Sequence, residues 1–560
     1  METRPCGHAK VTTDCAARMS VHERLMAPDA RELRSLYLLF WAMSGGSFLP
    51  MSFQSMLFAK TDDVRVDGQE KPAFFHDLHL DQIVDAILSG REEYRLEGFF
   101  YAPLHDVESV NFRQEVFRDL ETDALFHSVS TFGQSMRTMR QYLALSDKLH
   151  YKYEKERWFL DAAAVYCYAV KALETELMRA NLTSRAFIAF RDYLMGYTSS
   201  QAFLSLVEAT QTAKDALAEV SYLIHISENR VRVSKYSGEV DLGQEVENTF
   251  AKFKIGASKD YRVKFYGRTG MNHIEAQIVE LVARLYPEVF RALDEYYAAH
   301  QGYVDPLVST FEREIQFYLA YLEFTAPLKA AGLQFCYPRV AEHAREVRAT
   351  NAFDLALAKK LVGEGGVVVC NDFQLTDQER IIVVTGPNQG GKTTFARMFG
   401  QIHYLAAIGC PVPGKEAQLA LPDHVLTHFE REEDIATMRG KLEDELLRMY
   451  ELFQKATGRS VLILNESFSS TSLSDALFIG QEVMKRILKL GALCVYVTFV
   501  DELAALDPAI VSMVATVTPD DTMRRTFKLV RKPPDGLAYA AAIAEKYGLT
   551  YQAIKRRLSP

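Results

Sequence analysis

One stretch narrows the possible folds of this 560-residue chain more than any other: Ile381–Thr394, IIVVTGPNQGGKTT. Ile381–Val384 is a β-branched run of the kind that forms a buried strand. Gly386-Pro387-Asn388-Gln389-Gly390-Gly391-Lys392-Thr393 fits G-x-x-x-x-G-K-[ST], and the run from Phe395 to Ile408 reads as helix. Strand, glycine-rich turn and helix are the context of a phosphate loop. Its glycines let backbone N–H groups converge on phosphate, and the helix N-terminus adds positive potential. In that setting Lys392 contacts the β- and γ-phosphates and Thr393 ligates Mg²⁺.

The chain around this loop divides by pattern. From Phe75 onward, apolar residues recur at helical spacing: Asp77–Leu88, Val107–Leu120, Ser135–Leu149, Trp158–Ala180 and Arg185–Ile224 predict long amphipathic helices of a bundle or scaffold. Arg230–Thr269 breaks the pattern with β-formers and glycines and predicts a short β-containing insertion, at about 228–269. Helices resume over His273–Leu322, and Ala326–Pro338 reads as a connector. Beyond residue 341 the pattern alternates as α/β units do, with strands expected at Val367–Val369, Ile381–Val384, Val461–Leu464 and Leu493–Val497. A hairpin is expected from Val511–Val517 and Thr526–Val530, and Gly458 reads as a helix C-cap. The expected organisation is multidomain: a tail and small helical segment (1–74), a helical core (75–340) and a nucleotide domain (341–560).

A phosphate-loop ATPase also needs an acidic residue at the end of a neighbouring strand for Mg²⁺, and a following Glu to polarise water. Val461–Glu466 is the candidate, with Glu466 in the base position and Asn465 where an Asp is expected. An amide oxygen accepts a hydrogen bond from a metal-bound water but brings no charge, so weaker Mg²⁺ retention is expected.

These residues resemble the MutS family. Thr385–Thr394 is similar to T-G-P-N-x-G-G-K-S/T-T, and Asn371-Asp372 resembles the N-D pair ahead of it. Ala406–Gly414 resembles A-x-I-G-x-x-V-P-A, Asn465–Ser472 resembles D-E-x-G-x-G-T-S, and Thr498–Leu503 resembles T-H-Y-x-E-L. Upstream, Pro103-Leu104, Val110, Arg113-Gln114 and Val116 are similar to the start of the family's helical core. The resemblance implies a long α-helical core and lever region followed by an α/β P-loop ATPase domain of the ABC type. It implies ATP and Mg²⁺ as cofactors, with Gly386, Pro387, Asn388, Gln389, Gly390, Gly391, Lys392, Thr393 and Thr394 on the nucleotide. Thr393 and, through water, Asn465 then serve Mg²⁺, and Glu466 is the catalytic residue. It further implies a homodimer, or a heterodimer with a related chain, acting as a nucleotide-gated clamp on duplex or branched DNA in repair or recombination.

Departures from the family pattern favour nucleotide binding over fast hydrolysis. Asn465 replaces Asp, Phe499 replaces His, and Phe468 and Ser470 replace two glycines. The segment Arg439–Glu445 retains a Glu but lacks the family's Ser. No F-x-E element precedes the helical core, and too few residues stand there for a mismatch-reading domain, so mismatch recognition by base stacking is not expected.

The net charge of −9 does not point to a dedicated nucleic-acid protein, but local patches matter more than the sum. Lys252, Lys254, Lys259, Arg262, Lys264 and Arg268, interleaved with four aromatics against one acid, form the candidate DNA contact. A protein scaffold gated by ATP and without DNA binding is the alternative reading; a small-molecule kinase explains the loop but not the helices. Seven scattered cysteines without C-x-x-C fit reduced thiols and a cytoplasmic protein. Leu36–Met43 is too short to span a bilayer, and residues 1–20 lack a signal peptide's apolar core, so no membrane partner is expected.

Overall fold

The structure, a computed structural model, describes residues 53–60, 69–227, 230–238, 270–344, 346–431, 440–518, 521–534 and 549–558. All belong to one unit, Ser52–Pro560. The basic residues between Lys252 and Arg268 lie outside the described residues.

A helical region comes first. It contains α1 (Leu80–Leu88), α2 (Val107–Leu120), α3 (Asp123–Lys148), α4 (Lys152–Arg179), α5 (Arg185–Thr198) and α6 (Gln201–Ala218). A hairpin of β1 (Tyr222–Ser227) and β2 (Arg230–Lys235) follows, then α7 (His273–Leu285), α8 (Pro287–Ala299) and α9 (Pro306–Ala330). Side-chain caps set many of the boundaries. Asp106 accepts from the Ser109 N–H at the start of α2, and Asn272 with Glu275 closes a capping box on α7. Asp305 caps α9, with Pro306 in the first turn where its missing N–H costs nothing.

Three expectations are corrected here. The single helix expected over Arg185–Ile224 is broken at Ser199-Ser200, where the Ser200 hydroxyl accepts from the Phe203 N–H and starts α6. The same stretch ends in β1, so the β-containing insertion begins earlier than 228. The connector expected from Ala326 is helical to Ala330, with Pro327 inside the last turn of α9.

A sheet region follows. Its strands are β3 (Val347–Ala352), β4 (Asn371–Leu375), β5 (Ile381–Thr385), β6 (Glu416–Ala420), β7 (Val425–Phe429), β8 (Val461–Asn465), β9 (Leu493–Val497), β10 (Ile510–Thr518) and β11 (Asp521–Arg531). Helices α10 (Lys392–Ala407), α11 (Lys441–Lys455), α12 (Leu473–Leu490) and α13 (Tyr551–Leu558) accompany them. The strand expected at Val367–Val369 is absent; β4 begins at Asn371, and Val367 is exposed. Gly458 is not a C-cap, because α11 already ends at Ala456 in an extended conformation.

The main sheet has six strands in the order β7-β8-β9-β5-β10-β11, parallel except for the β10–β11 hairpin. Its continuous apolar runs follow from burial on both faces. Ile382, Val384, Ile463 and Val495 join the large core that continues through the helical region. Ile381, Val383, Leu462, Leu464 and Tyr496 pack instead with Met449, Phe453 and Met484 of α11 and α12.

The joint between the regions is a fully buried arginine. Arg113 on α2 donates to the carbonyls of Leu57 (3.1 Å) and Ile408 (2.9 Å), and its guanidinium faces the Phe58 and Phe317 rings. A Cβ on Gly409 would come within 2.7 Å of the Arg113 side chain, so glycine there is a condition of the contact. The C-terminal end of α10 is thereby fixed to the helical region.

Candidate nucleotide site

The turn between β5 and α10 is shaped by glycine. Gly386 has φ +113°, and a Cβ there would lie 2.9 Å from the Ala515 carbonyl oxygen of β10. At Gly390 a Cβ would lie 2.8 Å from the Pro387 oxygen, and Gly391 has φ +93° as the N-cap of α10. Only a chain without side chains at these points folds this closely.

Lys392 is the first residue of α10 and is buried. Its ammonium donates to Gly386 O (2.9 Å), Asn388 Oδ1 (3.1 Å) and Pro387 O (3.4 Å). Burial lowers its pKa from the ordinary lysine value, with Glu466 and Asp501 opposing and Arg525 reinforcing the shift. An ammonium held this way by neutral carbonyls is under-compensated and gains by meeting an anion. Thr393 and Thr394 follow, half-buried, in the first turn.

The second group of residues lies on the same edge. Pairing aligns Asn465, Val497 and Val384 across β8, β9 and β5. The sequence placed Asn465 on a neighbouring strand; β9 intervenes, so it stands two strand spacings away, about 10 Å. The buried Asn465 Oδ1 and Thr385 Oγ1 have no hydrogen-bond partner among the described residues. Orphaned buried oxygens on the C-terminal edge of a parallel sheet, beside a lysine, suit a hydrated cation and the phosphates it neutralises. The donor set therefore fits Mg²⁺-nucleotide.

Glu466 follows at φ +51°, its N–H donating to Val497 O (2.9 Å). The turn after it is anchored from below. His428 Nδ1 lies 2.8 Å from the Ser467 hydroxyl, and Nε2 donates to Glu445 O on α11 (3.1 Å). Burial pushes the His428 imidazole down to about 4, so it is neutral. Phe468 is fully buried yet keeps φ +62°, the conformation glycine favours. Glu445 is buried, which raises its carboxyl pKa, and Lys441 is ion-paired with Glu430. Phe499, beyond β9, is half-exposed.

Comparison with known proteins adds the family. The model of MutS domain V matches residues 382–556. The DNA mismatch repair protein MutS of Chlorobium limicola is 28% identical over 341 residues, 60% of this chain and 36% of that protein. Its counterpart in Halalkalibacterium halodurans is 31% identical over 188 residues, 33% of this chain and 22% of that protein. The chain is similar to the MutS family, most firmly over residues 382–556. It spans about a third or less of the length of these MutS relatives.

Three residues of this site lay beyond sequence reasoning. Arg525 donates from Nε to Asn388 O of the glycine turn (3.3 Å). Asn371, noted only as half of a motif, donates from Nδ2 to Phe527 O (3.1 Å) and accepts from the Leu529 N–H (2.8 Å). Asp501 acts on Lys392 through its charge. The sequence signals for them were the Asn371-Asp372 pair and, for Asp501, its place within Thr498–Leu503. His403 and His428 are both buried. Among the described residues no helix is long and apolar enough to cross a membrane.

Proposed function

We propose that this chain is a MutS-type subunit that binds ATP with Mg²⁺ and engages DNA as a nucleotide-gated dimeric clamp in repair or recombination. In this reading residues 75–340 are the helical core and levers, and 341–560 are an α/β P-loop ATPase domain of the ABC type. The observation that carries it is the buried Lys392, folded onto the carbonyls of its own glycine turn, at the strand edge that holds the orphaned oxygens of Thr385 and Asn465.

Bound Mg²⁺ supplies charge neutralisation of the phosphates. The chain's own residues do the rest: backbone N–H groups of 386–391 and Lys392 hold the phosphates, and the Thr393 hydroxyl and Asn465 amide orient the cation's shell. Glu466 positions the attacking water, and slow hydrolysis follows from the missing charge at 465. Mismatch reading by base stacking is not part of this proposal.

DNA contact is assigned to the insertion after α6. Its described part is the β1–β2 hairpin, whose register brings His225 opposite Arg232 and Ser227 opposite Arg230 on one face. Lys252, Lys254, Lys259, Arg262, Lys264 and Arg268 continue it. The test is binding to homoduplex, mismatched and branched DNA at low salt with ADP, ATP or no nucleotide, with ATP turnover measured on the same preparation. Affinity should fall steeply with salt and change with ATP. No DNA binding with any nucleotide would leave the scaffold reading, which the net charge of −9 favours.

A further inference from the structure

Away from the glycine turn, the helical region holds a cavity of about 210 Å³ between the turn after α1, the middle of α3 and the middle of α9. Its lining is polar where a helix bundle is ordinarily apolar. Gln316 of α9 is 6% exposed, and its side-chain amide lines the cavity with no hydrogen-bond partner among the described residues. Ser130 of α3 adds a buried hydroxyl oxygen that also has no partner among them. Buried polar groups are almost always paired, so two orphans sharing one cavity call for a partner from outside the chain.

Gly133 makes the room. It lies inside α3, where glycine weakens a helix and no positive φ calls for it. A Cβ there would stand 2.8 Å from Gln316 Nε2, so any other residue would push the amide out of place. Two arginines also line the cavity. Arg91 donates from Nη2 to Glu323 (2.5 Å), and Arg137 donates from Nε to Glu93 and from Nη2 to Gly90 O (2.8 Å). A guanidinium carries more N–H donors than these bonds use. Arg91 keeps Nε and Nη1, and Arg137 keeps Nη1, without partners among the described residues. Against Glu323, the two arginines leave the lining one net positive charge.

We propose that this cavity binds a small monocarboxylate. The free N–H groups of Arg91 and Arg137, the Gln316 amide and the Ser130 hydroxyl take its carboxylate, and its body lies against Tyr94 and Leu319. A guanidinium edge matches a planar carboxylate. The single excess charge, with Glu93 already on Arg137, suits one negative charge better than a phosphate dianion. The volume equals that of roughly seven waters at about 30 Å³ each, more than the two orphans need.

Thermal-shift and calorimetric titration of the full chain with sodium acetate, pyruvate and benzoate tests it, with ionic strength held constant by sodium chloride and inorganic phosphate as the contrast. At least one carboxylate should raise the melting temperature with saturable affinity, and Lys392→Ala should leave that affinity unchanged. Gln316→Leu, which removes the amide at similar bulk, and Gly133→Ala, which displaces it, should each weaken binding roughly ten-fold. If Gly133→Ala fails to fold, Gln316→Leu carries the test alone. No carboxylate effect beyond that of chloride means that the cavity holds only water and overturns the site, as does unchanged affinity in Gln316→Leu. Affinity lost in Lys392→Ala would put the anion at the glycine turn and overturn it too. Phosphate binding that survives Lys392→Ala but not Gln316→Leu overturns the assignment to carboxylate.

Discussion

The two halves of the candidate site differ in how closely they keep to what phosphate chemistry requires. At the β5–α10 turn three glycines stand where a side chain would clash or φ is positive, Gly386, Gly390 and Gly391, and only Gln389 keeps a left-handed φ (+60°) with a side chain. At the β8 and β9 ends the backbone shape survives while the side chains have changed. Phe468 occupies a left-handed conformation at φ +62°, and Asn465 supplies an uncharged oxygen. Backbone shape and side-chain chemistry can thus separate: the first is tied to the sheet register and the His428–Ser467 support, the second is free to drift.

The largest expected effect falls on the preserved half. Lys392→Ala should weaken MgATP binding roughly 100-fold, from loss of charge-assisted hydrogen bonds to phosphate. Affinity within a few-fold of wild type would erase the contrast between the halves. In the altered half, Phe468→Gly relieves the backbone but removes a buried ring, and cavity loss outweighs strain. A net destabilisation of about 2 kcal/mol is expected in denaturant titration.

Asn465→Asp sharpens the comparison further. A buried carboxylate without a partner should lower the apo melting temperature, while Mg²⁺-dependent ATP affinity rises roughly ten-fold. A variant that gains nothing from Mg²⁺ would place the cation elsewhere. Glu466→Gln should abolish whatever hydrolysis is present and leave binding intact; turnover at the wild-type rate would remove Glu466 from the reaction.

The smallest effect comes from pH. With the His428 imidazole held down to about 4, the unfolded chain takes up the proton first as pH falls. The contribution of His428 to stability is full above about pH 6.5 and is lost on acidification towards 4. Between pH 7.5 and 5.5 about 1 kcal/mol should disappear, and less in His428→Gln. An unchanged slope in that variant would show that the support beneath Ser467 is not neutral histidine.

Local chemistry determined much of this protein from sequence alone. Helix α2 runs from Val107 to Leu120 as its apolar spacing and Asp106 cap require, and the strands at 381, 461 and 493 follow from short β-branched runs. The glycine turn is legible because its constraint is within eight residues. What escaped depended on partners far along the chain. A serine pair broke the helix expected over 185–224, and residues from 222 paired with a strand instead. Arg525 and Phe527 reach the glycine turn, and Asn371 reaches Phe527, only because β10 and β11 fold back beside β5, and Arg113 reaches Ile408 across nearly three hundred residues. Periodicity and turn chemistry are properties of neighbouring residues, so sequence fixes them. Which buried oxygen lacks a partner, and which ring stands beside the turn, is set by sheet order and register, and only the tertiary structure decides those.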